Sequence, residues 1–226
     1  MMARHVQIVL SNPASPDRDG EYNDWYDNQH IPDLMRLPGF VGARRYRVAL
    51  PFRGQVPWRY AVVYDLEADD LGEVLGELVA SHSDGRIAVS DVLDSASLTA
   101  LVFSPIGSWQ GLAGHRRQIF LALSKPSDGQ EAAFNAWYDG THVPEVTAIP
   151  GIFGAQRYRL VMPFLDPLGE GQGYLALYDV DCDDLVALAG EVRQRARDGR
   201  THMSDAIDIA SLTAFFLEPL GPAATR

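Results

Sequence analysis

The sequence predicts an α+β fold: two tandem ferredoxin-like modules of βαββαβ order, packed sheet to sheet within one chain as a closed barrel with its helices outside. Three observations predict it. First, Trp25-Tyr26-Asp27 followed by His30 and Pro32 returns as Trp137-Tyr138-Asp139, His142 and Pro144. Second, the register holds without a gap through Pro38-Gly39, Gly42-Ala43, Arg45-Tyr46-Arg47 and Pro51-Phe52, matched by Pro150-Gly151, Gly154-Ala155, Arg157-Tyr158-Arg159 and Pro163-Phe164. Third, apolar runs of strand length and helical patterns follow one another in the same order in both copies. Later matches, such as Asp69-Asp70-Leu71 with Asp183-Asp184-Leu185 and Ser97-Leu98-Thr99-Ala100 with Ser211-Leu212-Thr213-Ala214, sit two residues further apart. The second copy therefore has a longer loop, read at 164–173. Two copies do not make a solenoid, and each is domain-sized, so the modules are 1–110 and 111–226.

Each copy opens on an apolar run, 5–10 and 118–123, whose length and β-branched content fit a buried strand. A turn follows, then a helix begun at Asp19 in the first copy and at Ser127 or Asp128 in the second, where Gln130 and Glu131 suit a capping box. It is expected to end near the histidine, because Pro32 and Pro144 bias Ile31 and Val143 out of the helical region. A second strand covers 41–50 and 153–162. A third covers 60–65 and 174–179, and leads to Asp-Asp pairs that set negative charge at the positive end of a helix dipole. That helix has one apolar face, formed by Leu71, Val74, Leu75, Leu78 and Val79, or by Leu185, Leu188, Ala189, Val192 and Ala196. A fourth strand spans 97–103 and 211–217. Both helices of a ferredoxin-like sheet lie on one face, so the other face needs a cover, and the second copy supplies it. Two independent domains side by side are the alternative; they would leave two large apolar patches across the short connector at 104–117.

Hydrophobic residues fill 46% of the 226 positions, enough for a core in each half. Only the tail from Gly221 to Arg226 reads as disordered. A net charge of −11 with Lys125 as the single lysine argues against nucleic acid or an anionic membrane as partner, since both select clustered cations. No run is long enough for a membrane span or a signal peptide, so a cytoplasmic location is expected. Cys182 aligns with Ala68 and has no disulfide partner. What is left is a small-molecule ligand, bound by a pseudo-dimer within the chain that is open to further homo-oligomer formation.

On the first helix Asn23, Tyr26, Asp27 and His30 lie along one side at α-helical spacing, and all four recur as Asn135, Tyr138, Asp139 and His142. Neighbouring positions have drifted, Asp24 to Ala136 and Gln29 to Thr141. In the functional reading the histidine is a general base or acid at the mouth of a pocket between helix and sheet. The helix end and the carboxylate one turn back would favour imidazolium. Tyr26 and Tyr138 would donate to a substrate oxygen, and Arg45 and Arg157 would hold an enolate or carboxylate, with Asn23, Asn135, Trp25 and Trp137 beside the substrate. In the structural reading the histidine caps stray carbonyls, Trp-Tyr-Asp locks helix to sheet, and the arginines form ion pairs. Both readings stay open on the residues alone. His5, His82, His115 and His202 have no partner at metal-ligand spacing and no match between copies, so no metal is expected. The absence of a phosphate-binding glycine loop and of a Gly-x-Ser-x-Gly turn signals neither cofactor nor serine nucleophile. Ser90-Asp91 and Ser204-Asp205 read as turns before the fourth strand, with pocket lining as the alternative.

Trp-Tyr-Asp-x-x-His-x-Pro, with Leu37-Pro38-Gly39-Phe40 and Ala43-Arg44-Arg45-Tyr46-Arg47, resembles the EthD-like branch of the dimeric α+β barrel superfamily over most of both halves. Most members reach that barrel by pairing separate chains. They include polyketide cyclases, dehydratases acting on aromatic polyketides, cofactor-free monooxygenases, muconolactone isomerases and haem-binding enzymes, and many have no assigned reaction. The resemblance places the family's helix histidine on His30 and His142. It implies a cofactor-independent lyase or isomerase, of dehydratase or cyclase type, acting on a small aromatic or polyketide-like carbonyl compound, with histidine as general base. The alternatives are a cofactor-free monooxygenase, a non-catalytic binding protein for an apolar metabolite and, more distantly, a haem site.

Overall fold

A computed structural model describes residues 3–111, 118–165 and 173–226. The first half runs β1 (Ala3–Ser11), α1 (Asp19–Trp25), a π-helical turn (Tyr26–His30), α2 (Ile31–Leu34), β2 (Phe40–Arg53), β3 (Tyr60–Ala68), α3 (Leu71–Ser83) and β4 (Thr99–Gly111). The second repeats it as β5 (Gln118–Ser124), α4 (Glu131–Trp137), a π-helical turn (Tyr138–His142), α5 (Val143–Thr147), β6 (Ile152–Leu165), β7 (Tyr174–Val180), α6 (Leu185–Arg197) and β8 (Thr213–Pro219), with a short β9 (Ala224–Thr225) after it. Among the described residues no helix is long and apolar enough to cross a membrane.

All strand pairs are antiparallel, in the order β3-β1-β4-β6-β7-β5-β8-β2, and β2 returns to β3, so eight strands close a barrel. Each half contributes the same order, β2-β3-β1-β4 and β6-β7-β5-β8, and the halves join at β4–β6 and β8–β2. Side chains alternate across each strand. One set, including Ile8, Leu10, Phe103, Leu121, Leu177 and Phe215, forms a single cluster drawn from both halves inside the barrel. The opposite set packs under the helices in two separate clusters, one per half. The two bare sheet faces therefore cover each other, as the patterning predicts.

Several expectations are corrected. The segment 104–111, read as connector, is strand: it pairs with β6 as far as Gly111 opposite Gly154. The remaining 112–117, and most of the predicted loop at 164–173, lie outside the described residues. β2 and β6 run on to Arg53 and Leu165, because their far ends find partners in the other half. The tail is not free. Ala224 and Thr225 pair with Ala43 and Gly42, and the Arg226 N–H donates to the Val41 carbonyl. No capping box forms at α4, where the Ser127 hydroxyl donates instead to the Asp205 carbonyl. The Asp caps of α3 and α6 are as expected, with Asp70 accepting from the Gly72 N–H and Asp184 from the Ala187 N–H. Val79 and Ala196, assigned to apolar faces, are exposed.

The prolines do not end the first helix of either half. In a regular α-helix Pro32 would lack a donor and its ring would press on the carbonyl four residues back. Here the Ile31 N–H bonds the Tyr26 carbonyl, five residues back, and the Val143 N–H bonds that of Tyr138. The wider turn makes room, and Pro32 and Pro144 fall in the first turn of α2 and α5, where a missing donor costs little.

Candidate functional site

The π turns decide which side chains meet. Residues five apart are about 140° apart around an α-helix, but an i→i+5 turn brings them onto one face. Trp25 and His30 accordingly stack, with ring centroids 4.6 Å apart at 28°, and Trp137 and His142 repeat this at 4.6 Å and 35°. Tyr26 and Tyr138 meet their histidines edge-on at 5.1 and 5.0 Å.

Asn23 and Asp27, four apart within α-like spacing, go elsewhere. They converge on Arg45, which strand alternation places on the outer face of β2: Arg45 donates to Asn23 Oδ1 at 2.6 Å and pairs with Asp27 at 2.9 Å. Asn135 and Asp139 do the same with Arg157 at 2.7 and 2.8 Å. Both guanidiniums are buried beneath aromatic rings, Arg45 at 4.9 Å from the Tyr26 centroid and Arg157 at 4.4 Å from that of Tyr138. Each amide also donates onward, Asn23 to Tyr60 Oη and Asn135 to Tyr174 Oη. This network pins the first helix to the sheet.

Two cavities lie between helices and barrel. The first, about 320 Å³, is lined by Trp25, Tyr26, His30, Tyr64, His82 and Phe164, among others. The second, about 660 Å³, is lined by Phe52, Tyr138, His142, Tyr178, Arg193 and Thr201, among others. Of the predicted site residues, His30, His142, Tyr26, Tyr138 and Trp25 line a cavity. Asn23, Asn135, Asp27, Asp139, Arg45 and Arg157 line neither, so their predicted place beside a substrate is corrected to a position behind the cavity wall. Trp137 also stays out of the lining; its indole N–H donates to the His202 carbonyl at 3.0 Å. Ser204 and Asp205 do line the second cavity.

Each cavity borrows side chains from the other half. Phe164 and Leu165, at the end of β6, close the first, and Phe52 and Arg53, at the end of β2, close the second. Phe52 lies edge-on to Phe120 at 5.2 Å and to Phe216 at 6.0 Å. Sequence reasoning assigned these residues no role, although the repeated Pro51-Phe52 and Pro163-Phe164 pairs were the signal.

The expected imidazolium is also corrected. Burial pushes His30 down to about 3, and neighbouring His82 lowers it further. Burial pushes His142 down to about 4, against the upward pull of Glu145 and of the His202 backbone; Arg157 adds a small lowering. The carboxylates one turn back, Asp27 and Asp139, pair with arginines instead. Both histidines are half-buried as residues, yet each Nδ1 is enclosed with no hydrogen-bond partner among the described residues. Burial raises the phenols of Tyr26 and Tyr138, so they stay protonated. The Tyr64 hydroxyl is enclosed without a partner in bonding geometry, whereas that of Tyr178 meets the Tyr138 hydroxyl. The site thus offers a neutral imidazole and protonated phenols beside an apolar cavity. Among the described residues no group of three or more His, Cys, Asp or Glu side chains could hold a metal ion.

No protein-family profile and no curated protein matches the chain. Solved structures do. An anthrone oxidase-like protein aligns over 100% of this chain and 94% of its own, with a TM-score of 0.62 at 12% identity. A monooxygenase candidate from Fusobacterium nucleatum covers 100% and 95%, with a TM-score of 0.60 at 11% identity. A chlorite dismutase candidate covers 98% and 96%, with a TM-score of 0.52 at 14% identity. The fold is an α+β barrel shared with these structures.

Proposed function

We propose that the chain is a tandem pair of ferredoxin-like, EthD-type modules, 1–110 and 111–226, acting as a cofactor-independent lyase or isomerase on a small aromatic or polyketide-like carbonyl compound. The observation that carries this reading is a neutral imidazole lining a largely apolar cavity beside a protonated tyrosine, and doing so twice. His30 or His142 takes a proton from the carbon next to the substrate carbonyl, and Tyr26 or Tyr138 donates to the oxygen on which enolate charge grows. The imidazolium then returns its proton, to another carbon in an isomerisation or to a departing hydroxyl in a dehydration. An imidazole that is a weak base in the empty cavity gains basicity as the enolate forms, because the ion pair develops in low dielectric. Glu145 assists His142 in this, whereas His82 opposes it at His30, so the second site holds the stronger base. The arginine networks hold the helix, and with it the imidazole, in place.

The test is solvent exchange of α-deuterium on a panel of aromatic and polyketide-like ketones, followed by NMR. His30→Gln with His142→Gln should abolish exchange while leaving the fold intact, and His142→Gln alone should remove the larger share. Undiminished exchange in the double variant would exclude the role. Ligand affinity with no exchange in the parent chain would instead mark a binding protein. A cofactor-free monooxygenase begins with the same proton abstraction, and the barrel shared with a monooxygenase candidate favours it as the second reading. Oxygen uptake with an anthrone as substrate would select it.

A further inference from the structure

The two cavities have diverged around their shared histidine and tyrosine. By the repeat register the second carries Arg193, Arg197, Thr201 and Arg53 where the first half has Val79, Ser83, Ile87 and Leu165. Arg53, Arg193 and Arg197 all stand in the wall of the second cavity, and among the described residues none is ion-paired. Arg193 lies 4.5 Å over the Phe52 ring and donates to the Phe52 carbonyl at 3.3 Å, and Arg197 donates to Gln194 Oε1 at 2.9 Å. Most other arginines of this acidic chain have carboxylate partners, such as Arg86 with Glu77 and Arg200 with Asp198. Asp205 is the one carboxylate among the lining residues, so positive charge prevails there.

Apolar side chains such as Phe120, Val146, Ile207 and Leu212 complete the walls. A volume of about 660 Å³ suits a small organic molecule, whereas about 320 Å³ in the first cavity stands at the lower end of the roughly 300–1,000 Å³ usual for such sites.

We infer that the second cavity takes an anionic small molecule with an apolar body, its acidic group held among Arg53, Arg193 and Arg197, whereas the first takes only neutral apolar ligands. This deepens the proposed function and rests on the second cavity being a ligand site. Guanidinium suits the task because it forms directed pairs with oxyanions, and stacking on Phe52 holds one of the three in place beforehand.

The full chain is titrated with anilinonaphthalene sulfonate and with its uncharged parent, phenylnaphthylamine, by fluorescence. The anionic dye should bind once per chain. Arg53→Gln, Arg193→Gln and Arg197→Gln together should weaken it about tenfold, a few-fold for each partly exposed charge, while the uncharged dye moves less than about twofold. Raising salt from about 0.01 M to about 1 M, which shortens the screening length from about 30 Å to about 3 Å, should act on the anionic dye alone. Ala196→Trp, at an exposed position on the cavity wall, should block the anionic dye and leave the thermal unfolding midpoint in place. Equal affinity for the two dyes, or equal weakening of both by the arginine variant, overturns the anion assignment and leaves an apolar cavity standing. Binding of neither dye at a place that Ala196→Trp blocks overturns the ligand site as well.

Discussion

Acid should destabilise this protein through its two helix histidines, well before its carboxylates are protonated. In the folded chain His30 titrates at about 3 and His142 at about 4, both from an ordinary 6.5. A depressed folded value means that the unfolded chain binds the proton first, so stability is complete above 6.5 and is lost as the pH falls toward the folded values. Between pH 7 and pH 5 each histidine then removes about 2 kcal/mol, and the pair about 4 kcal/mol. That is a large share of the roughly 5–15 kcal/mol typical of a folded domain. The groups facing His30 are His82, Trp25 and Tyr26; those facing His142 are Trp137, Tyr138, Glu145, Arg157 and the His202 carbonyl. Urea unfolding at half-unit steps of pH, for the parent chain and for His30→Gln with His142→Gln, isolates their share as the difference between the two curves. Lys, Arg and carboxylate titrations cancel in that difference. It should shrink steadily from pH 6.5 downward. A flat difference, or one that grows in acid, would refute the neutral enclosed imidazole on which the proposed chemistry depends.

Other perturbations separate buried from exposed features. Asp139→Asn leaves the enclosed Arg157 without its carboxylate and should cost about 2 kcal/mol, less than a fully buried pair because Asp139 is itself half open. Asp33→Asn, which breaks the exposed pair with Arg36, should cost under about 1 kcal/mol in the same denaturation assay. Gly39 has a φ of +85°, and an added Cβ would stand 2.5 Å from a Val74 methyl, so Gly39→Ala should cost about 2 kcal/mol or more. Gly85 has a φ of +80° in open space, and Gly85→Ala should cost only about 1 kcal/mol. Phe52→Ala removes ring contacts with Phe120 and Phe216 from across the seam; unfolding should show a loss of about 2 kcal/mol, and dye binding in the second cavity should weaken.

Element order and the closing of the strands into one α+β barrel were legible in the sequence, because they follow from strand and helix periodicities that any short window displays. So were the histidine and tyrosine of each cavity, since the chain repeats them while Asp24 and Gln29 have drifted. What the spacing misassigned was company. Read as an α-helix, His30 belongs with Tyr26 and Asp27; the π turn stacks it on Trp25 as well and leaves Asp27 to Arg45. The wider turn that seats Pro32 brings residues five apart together, a contact that α-helical spacing does not display. Enclosure by the fold likewise reversed the expected charge of the imidazole, which neighbours in sequence would have raised. Phe52 and Phe164 reach their cavities only once β2 and β6 cross into the opposite half. The sequence by itself determined the parts and their repetition. The closed barrel decided which parts face one another, because contacts between the ends of distant strands exist only after the ring has shut.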